Sequence, residues 1–190
     1  VGRPPSLCKG CPHIDSFTAL NEVLKPYGKG RIFSDIGCYT LAALPPLEAV
    51  NSCVDMGASI TMAKGAVDAG LFPSVAVIGD STFCHSGMTG LLDAVIAKSP
   101  ITVMILDNST TAMTGGQPSA AFNRLINICK GLGVEEEHIR IIKPLHNKHE
   151  ENVKVIQEEL EYRGVSVIIP QRECIQTLNK RMRLKFKEKK

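Results

Sequence analysis

Two short runs set the pattern of the chain. Ser74-Val-Ala-Val-Ile78 and Ile101-Thr-Val-Met-Ile-Leu106 are apolar almost throughout and rich in β-branched residues. Continuous runs of that length read as strands buried on both faces of a parallel sheet. Between them, over Gly87–Lys98, Met88, Leu91, Leu92, Val95 and Ile96 recur at helical spacing, which predicts an amphipathic helix. The unit is strand, loop, helix, strand, with polar loops at the carboxyl ends of both strands. The same alternation extends in both directions. Ile14–Lys25 predicts a helix with Ile14, Phe17, Leu20, Val23 and Leu24 on its apolar face, stopped by Pro26, Gly28 and Gly30. Arg31–Ile36 predicts a strand, Tyr39–Ser52 a connection broken at Pro45-Pro46, and Val54–Asp68 a helix rich in small residues. Ala120–Leu132 and His149–Glu161 predict helices, and Ile139–Lys143 and Val165–Ile169 predict strands. Alternating strands and helices make the expected fold class α/β, a doubly wound parallel sheet. No internal repeat interrupts it.

Charge changes the picture only at one end. The net charge is +3, but Lys180–Lys190 holds seven Lys or Arg and one Glu, so this segment is +6 and the remainder −3. The expected division is a domain over residues 1–175 and a basic tail over 176–190, the tail being a solvated helix end or an arm. The Pro-rich Val1–Ser6 reads as a linker, and its abrupt start suggests a chain cut from something larger or a subunit lacking the usual first domain. No basic patch with interleaved aromatics occurs in the body, so a nucleic-acid partner is not expected. No signal peptide and no run long enough to span a bilayer is seen, so a cytoplasmic location and no membrane partner are expected. Seven cysteines are many for 190 residues. In a cytoplasmic chain they point to metal, cluster or packing roles rather than to disulfides.

Candidate chemistry lies at the two strand ends. Gly79-Asp80-Ser81-Thr82 puts a carboxylate and two hydroxyls beside a glycine, and Asp107-Asn108 adds an amide oxygen. A carboxylate, an amide oxygen and a backbone carbonyl are an oxygen-only set suited to Mg²⁺, which completes its shell with phosphate oxygens. The hydroxyls and nearby N–H groups can hold those phosphates. Taken singly, the two segments also fit a helix N-cap and an Asx-turn. Their occurrence on adjacent strands favours the cation site.

Gly79-Asp80-Ser-Thr followed by Asp107-Asn108 resembles the thiamine diphosphate motif of thiamine-dependent enzymes. Thr114-Gly-Gly-Gln117 narrows the likeness to the 2-oxoacid:ferredoxin oxidoreductases. Cys8-Lys-Gly-Cys-Pro-His13, Asp35-Ile-Gly-Cys-Tyr-Thr-Leu41, Leu44-Pro-Pro-Leu47, Met56-Gly-Ala-Ser59, Gly79–Gly87 and Thr111–Gly116 resemble the thiamine-binding domain of the indolepyruvate:ferredoxin oxidoreductase large subunit. The likeness covers about residues 3–170. Lys9, Ile14 and Gly116 depart from the residues common there, which bears on substrate preference.

The resemblance implies the thiamine diphosphate-binding fold and a set of site residues. Mg²⁺ is held by Asp80, Asn108 and the carbonyl of Thr110. The cofactor is lined by Gly37, Cys38, Met56, Gly57, Gly79, Asp80, Ser81, Thr82, Asn108, Ser109, Thr110, Thr111, Ala112 and Met113. Apart from the resemblance, His13 and His85 stand beside strand-end loops and are candidate acids or bases near pH 7, His13 facing the substrate or else making structural hydrogen bonds, while His138, His146 and His149 read as surface residues. Cys8, Cys11, Cys38 and Cys174 occupy the places of [4Fe–4S] ligands in related enzymes. Four thiolates suit a cluster or a zinc ion, and otherwise they line the pocket as thiols. The cluster belongs either here or on an adjoining segment. Cys53, Cys84 and Cys129 read as buried packing residues.

The implied reaction is oxidative decarboxylation of an arylpyruvate, indolepyruvate-like, with coenzyme A to an acyl-CoA, electrons passing to ferredoxin. The activating glutamate of thiamine enzymes comes from a pyrimidine-binding domain, which these residues do not include. A pyrimidine-binding domain or subunit is therefore an expected partner, beside another oxidoreductase subunit, ferredoxin, the 2-oxoacid and coenzyme A. Two other classes stay open: a non-oxidative thiamine-dependent 2-oxoacid decarboxylase subunit, and an inactive cofactor-binding module.

Overall fold

A computed structural model of the chain describes residues 5–188. The opening of the expected linker, residues 1–4, and the last two lysines of the tail lie outside the described residues. Helix α1 (Pro12–Leu24) precedes strand β1 (Ile32–Ser34). Then come β2 (Ser52–Cys53), α2 (Ala58–Asp68), β3 (Val75–Gly79), α3 (Asp80–Thr82), α4 (Met88–Ile96) and β4 (Thr102–Leu106). A small antiparallel pair, β5 (Thr110–Thr111) and β6 (Gln117–Pro118), follows. The chain continues through α5 (Leu125–Gly131), β7 (Ile139–Ile142), α6 (His149–Glu161), β8 (Ser166–Pro170) and α7 (Ile175–Glu188). Six strands form one parallel sheet in the order β2-β1-β3-β4-β8-β7. The expected doubly wound α/β fold is the one observed.

Side-chain alternation along the central strands builds a core on each face. Val75, Val77, Met104, Leu106 and Ile168 pack with Phe17, Leu20, Ile156 and Leu160 of α1 and α6. Ala76, Ile78, Val103, Ile105, Val167 and Ile169 pack with Ile60, Leu91, Leu125 and Cys129 of α2, α4 and α5. Every residue of β3, β4 and β8 is buried. This is why these strands show no polar alternation. Each fully buried aliphatic side chain contributes on the order of 1.5–3 kcal/mol relative to exposure.

Four local expectations are corrected. No polar loop separates β3 from its helix: α3 begins at Asp80, directly after Gly79, and reaches α4 through a π-turn over Phe83–Gly87. Phe83 is fully buried, and a Cβ on Gly87 would lie 2.7 Å from Ile78 and 2.9 Å from the Phe83 ring. The missing side chain makes room for the ring, and the extra residue of the π-turn breaks the apolar period that would reveal the helix. Helix α2 starts at Ala58 rather than Val54, because Gly57 adopts a left-handed φ of +92°. Helix α5 starts at Leu125 rather than Ala120, after a turn in which the Ser119 Oγ accepts the Ala121 N–H at 3.2 Å and Asn123 takes φ +55°. The connection Tyr39–Ser52 contains a 3₁₀ helix, Cys38–Ala43, and reaches the two-residue edge strand β2.

The basic tail is helical through Glu188. Ile175, Leu178, Met182 and Phe186 share one helix face by spacing; Met182 and Phe186 are exposed. Among the described residues, no helix is long and apolar enough to cross a membrane.

Candidate functional site

A cavity of about 380 Å³ opens at the carboxyl ends of β1, β3 and β4. The chain visits β1, moves outward to β2, then returns past β1 to β3. Crevices at such reversals of strand order are where α/β sheets bind ligands. Twelve of the expected residues line it: Gly37, Cys38, Met56, Gly79, Asp80, Ser81, Thr82, Asn108, Thr110, Thr111, Ala112 and Met113. His13 and His85 line it too. Gly57 and Ser109, also expected at the cofactor, are not among its lining residues. The Gly57 N–H donates to Asp35 Oδ2 at 3.0 Å, and the Ser109 N–H donates to Asp107 Oδ1 at 3.0 Å.

Asp80 has the environment of a cation ligand. It is 3% exposed; the Ser81 N–H donates to Oδ1 at 2.7 Å, whereas buried Oδ2 has no hydrogen-bond partner. Burial, reinforced by the nearby Asp107 carboxylate, pushes its pKa up to about 6. A buried carboxylate oxygen left without a donor is costly, and a divalent cation would satisfy it. Asn108 ends the neighbouring strand, 8% exposed, its Oδ1 accepting the Thr110 N–H at 3.1 Å. That is the Asx-turn geometry, and it leaves a second lone pair on the amide oxygen. Thr110 is buried in β5. The Ser81 and Thr111 hydroxyls meet at 2.7 Å, a polar wall suited to phosphate oxygens. The donor set therefore fits Mg²⁺ with a diphosphate.

Two residues that sequence reasoning assigned no role support the cavity: Tyr39 lines it, and Asp35 holds Tyr39 from behind. Asp35 is fully buried and gathers three donors: Tyr39 Oη, the Gly57 N–H and, at 2.8 Å, Ser59 Oγ. Burial raises the Asp35 pKa, and these bonds oppose that shift. The Tyr39 ring fills the space between two strand ends. A Cβ on Gly37 would lie 2.1 Å from it, and one on Gly79 2.7 Å. Both glycines are there for that close approach, not for turn geometry. Asp35 and Tyr39 stand in the Asp35–Leu41 stretch, but only the fold shows them meeting the start of α2.

A second cavity, about 350 Å³, holds Cys8, Cys11, Cys38 and Cys174 together. It shares His13, Cys38, Asn108 and Ala112 with the first. Cys11 is the N-cap of α1, and α7 begins one residue after Cys174. Both helix N-termini therefore border this space, and their dipoles favour an anionic occupant. The Cys174 N–H donates to the Asn108 carbonyl at 3.1 Å, tying the β8 end to the β4 end. Burial pushes the Cys11 thiol up to about 11, with Cys8, Cys174 and Cys38 adding to it. Cys38 is raised in the same way. Among the described residues, the one group of three metal-type side chains converging within 4.8 Å is Glu135, Glu137 and His138. No three of the four thiol sulfurs therefore lie mutually within 4.8 Å.

The other cysteines and histidines differ in part from expectation. Cys129 is fully buried, but Cys53 and Cys84 are half-buried. His138 is not a free surface residue: it stacks on Tyr162 with centroids 3.4 Å apart and meets buried Glu159 at 2.9 Å. His149 Nε2 lies 2.7 Å from Glu22.

The sequence model of the thiamine pyrophosphate enzyme C-terminal TPP-binding domain matches residues 35–169. The indolepyruvate oxidoreductase subunit IorA of Archaeoglobus fulgidus is 38% identical over 183 residues, covering 90% of this chain and 29% of that protein. The protein of the same name from Methanothermobacter thermautotrophicus is 36% identical over 186 residues, covering 91% and 30%. The chain thus spans less than a third of the length of these relatives. Among solved structures, the 2-oxoglutarate:ferredoxin oxidoreductase from Magnetococcus marinus, with 2-oxoglutarate, coenzyme A and succinyl-CoA bound, superposes with a TM-score of 0.74. It is 17% identical and covers 92% of this chain and 66% of its own. Benzoylformate decarboxylase from Polynucleobacter necessarius superposes at 0.58, with 16% identity over 83% of this chain and 33% of its own. At such identities the two structures show a shared fold.

Proposed function

The chain belongs to the thiamine pyrophosphate enzymes, as their C-terminal TPP-binding domain, and on that premise we propose that it serves an indolepyruvate:ferredoxin oxidoreductase in the cytoplasm. The reaction is oxidative decarboxylation of an arylpyruvate with coenzyme A to an acyl-CoA, carbon dioxide and reduced ferredoxin. One observation carries the reading: buried, partnerless Asp80 Oδ2 at the end of β3, beside Asn108 at the end of β4.

Asp80, Asn108 and the Thr110 carbonyl hold Mg²⁺ on the cofactor's diphosphate, and Gly79–Thr82 with Asn108–Met113 line that diphosphate. Met56 stands at the cavity mouth, 41% exposed, where it supports the cofactor's rings. When bound, thiamine diphosphate supplies the electron sink for decarboxylation. The protein's contribution is position, charge balance and exclusion of water. Cys8, Cys11, Cys38 and Cys174 hold a [4Fe–4S] cluster, with Cys38 in the wall between the two cavities. That second cavity favours an oxidative enzyme over a non-oxidative decarboxylase, which needs the first cavity alone. Residues 1–175 make up the cofactor domain, and 176–190 form a basic arm. Exposed Ile36, Val54, Met56 and Met113 lie at or beside the cofactor cavity. This apolar rim is where a pyrimidine-binding domain or subunit docks and brings the activating glutamate.

Calorimetric titration with thiamine diphosphate, with and without Mg²⁺, tests the reading. Anaerobic purification with iron analysis accompanies it. Mg²⁺-dependent binding lost in Asp80→Ala, with stoichiometric iron, is the expected result. No binding even with a pyrimidine-binding partner present would sink it.

A further inference from the structure

We propose that His13 is a positioning residue: its Nε2 accepts a hydrogen bond from the Asn108 carboxamide and holds that amide with its oxygen turned to the cofactor's cation. The inference rests on the cofactor reading above and adds to it a residue that touches no phosphate or metal.

Asn108 Nδ2 and His13 Nε2 lie 3.3 Å apart. Both residues are buried, His13 at 3% and Asn108 at 8% exposure. An amide NH₂ only donates, so Nε2 must be the acceptor and the ring proton sits on Nδ1. On the other side of the amide, Oδ1 accepts the Thr110 N–H at 3.1 Å. Rotating the amide by half a turn would set its NH₂ against the Thr110 N–H and its oxygen against the Nε2 lone pair. Two attractive contacts would become two repulsive ones. One orientation is therefore selected, and it leaves the second Oδ1 lone pair available.

The imidazole is itself held. His13 is the second residue of α1, behind Pro12. Its ring meets Tyr39 edge-on, with centroids 6.2 Å apart. The Tyr39 hydroxyl is bound to buried Asp35. A continuous series, Asp35, Tyr39, His13 and Asn108, thus links the ends of β1 and β4 through the first turn of α1. His13 lies two residues past Cys11 and lines both cavities. An Nε2 occupied in this way does not abstract a substrate proton, which separates the assignment from an acid–base role.

The test uses the whole protein and two variants. His13→Leu removes the acceptor; Mg²⁺-dependent thiamine diphosphate binding by calorimetry should weaken about tenfold, the scale of one hydrogen bond. His13→Gln puts an amide oxygen near the Nε2 position and should stay within about threefold of wild type. Long-range ¹H–¹⁵N spectra of the cofactor-free wild type should show the proton on Nδ1. A proton on Nε2 overturns the proposal, as does Gln binding no better than Leu, or Leu binding like wild type. Should His13→Leu fail to fold, the Gln variant and the spectrum decide. If wild type binds no Mg²⁺-thiamine diphosphate with its partner present, the cofactor reading falls, and the spectrum still decides the hydrogen bond by itself.

Discussion

Replacing Asp80 with asparagine should make the ligand-free protein more stable and leave it indifferent to the cofactor. Burial, with Asp107 nearby, lifts the Asp80 pKa from 3.8 to about 6. A raised carboxyl pKa means that the folded state holds this proton more tightly than the unfolded chain does. The resulting stabilisation is full below pH 3.8 and is lost as pH rises through about 6. Above that, the ionised, folded form carries a penalty of about 3 kcal/mol, at about 1.4 kcal/mol per pH unit. Asparagine removes the charge but adds a buried N–H that needs an acceptor. About half of the ceiling is therefore expected, roughly 1.5 kcal/mol, or a Tm higher by about 3–6 °C for a chain of this size. Scanning calorimetry at about pH 7.5 reads the difference, and most of it should disappear near pH 4.5. Mg²⁺ and thiamine diphosphate at about one hundred times Kd should then stabilise wild type by about 2.7 kcal/mol and the variant not at all. A ligand-free variant less stable than wild type at every pH would refute the orphaned-carboxylate argument. Equal stabilisation of both proteins by the cofactor would refute the assignment of the cation to Asp80.

Three further outcomes follow from the same geometry. Gly37→Ala drives a methyl into the Tyr39 ring and should cost about 1–3 kcal/mol by urea denaturation; adding Tyr39→Ala should recover part of that, whereas additive losses would mean that the two do not touch. Cys174→Ser should abolish stoichiometric iron while Mg²⁺-thiamine diphosphate affinity changes by less than about twofold, and Cys129→Ser, altering a fully buried cysteine outside the second cavity, should leave the iron in place. Ligation deprotonates thiols, and Cys11 titrates near 11, so cluster assembly should release protons and proceed more readily as pH rises from about 7 to 9; loading that ignores pH would argue against Cys11 as a ligand.

The fold was legible wherever burial left an uninterrupted signature. The runs that become β3, β4 and β8 are apolar because helices cover both of their faces, and α6 shows its span because its outer face is polar throughout. Legibility failed where a side chain was missing or a partner lay far along the chain. Gly87 stands where the apolar period needs a residue, so the helical start at Asp80 was hidden. Strand β2 has two residues and no periodicity to read. The motif residues do gather around one cavity, but the support behind them did not show. Asp35 reads as an ordinary strand-end carboxylate until Gly57 and Ser59 are brought to it, 22 and 24 positions away.

The shared wall between the two cavities explains why these residues occur in one small domain. Cys8 and Cys174 lie at opposite ends of the sequence, and no local rule brings them together. Sheet order does: β8 runs beside β4, so Cys174 docks through its N–H on the carbonyl of Asn108. Helix α1 then returns the Cys8–Cys11 turn to the same place, with His13 against the Asn108 amide. Asn108 is thus held by its carbonyl from the cysteine side, by its NH₂ from His13 and by its oxygen from Thr110. An asparagine held by its carbonyl and by both ends of its side-chain amide has little freedom to adjust. The wall that separates the two cavities, to which His13, Cys38, Asn108 and Ala112 all contribute, is thus assembled from three distant parts of the chain.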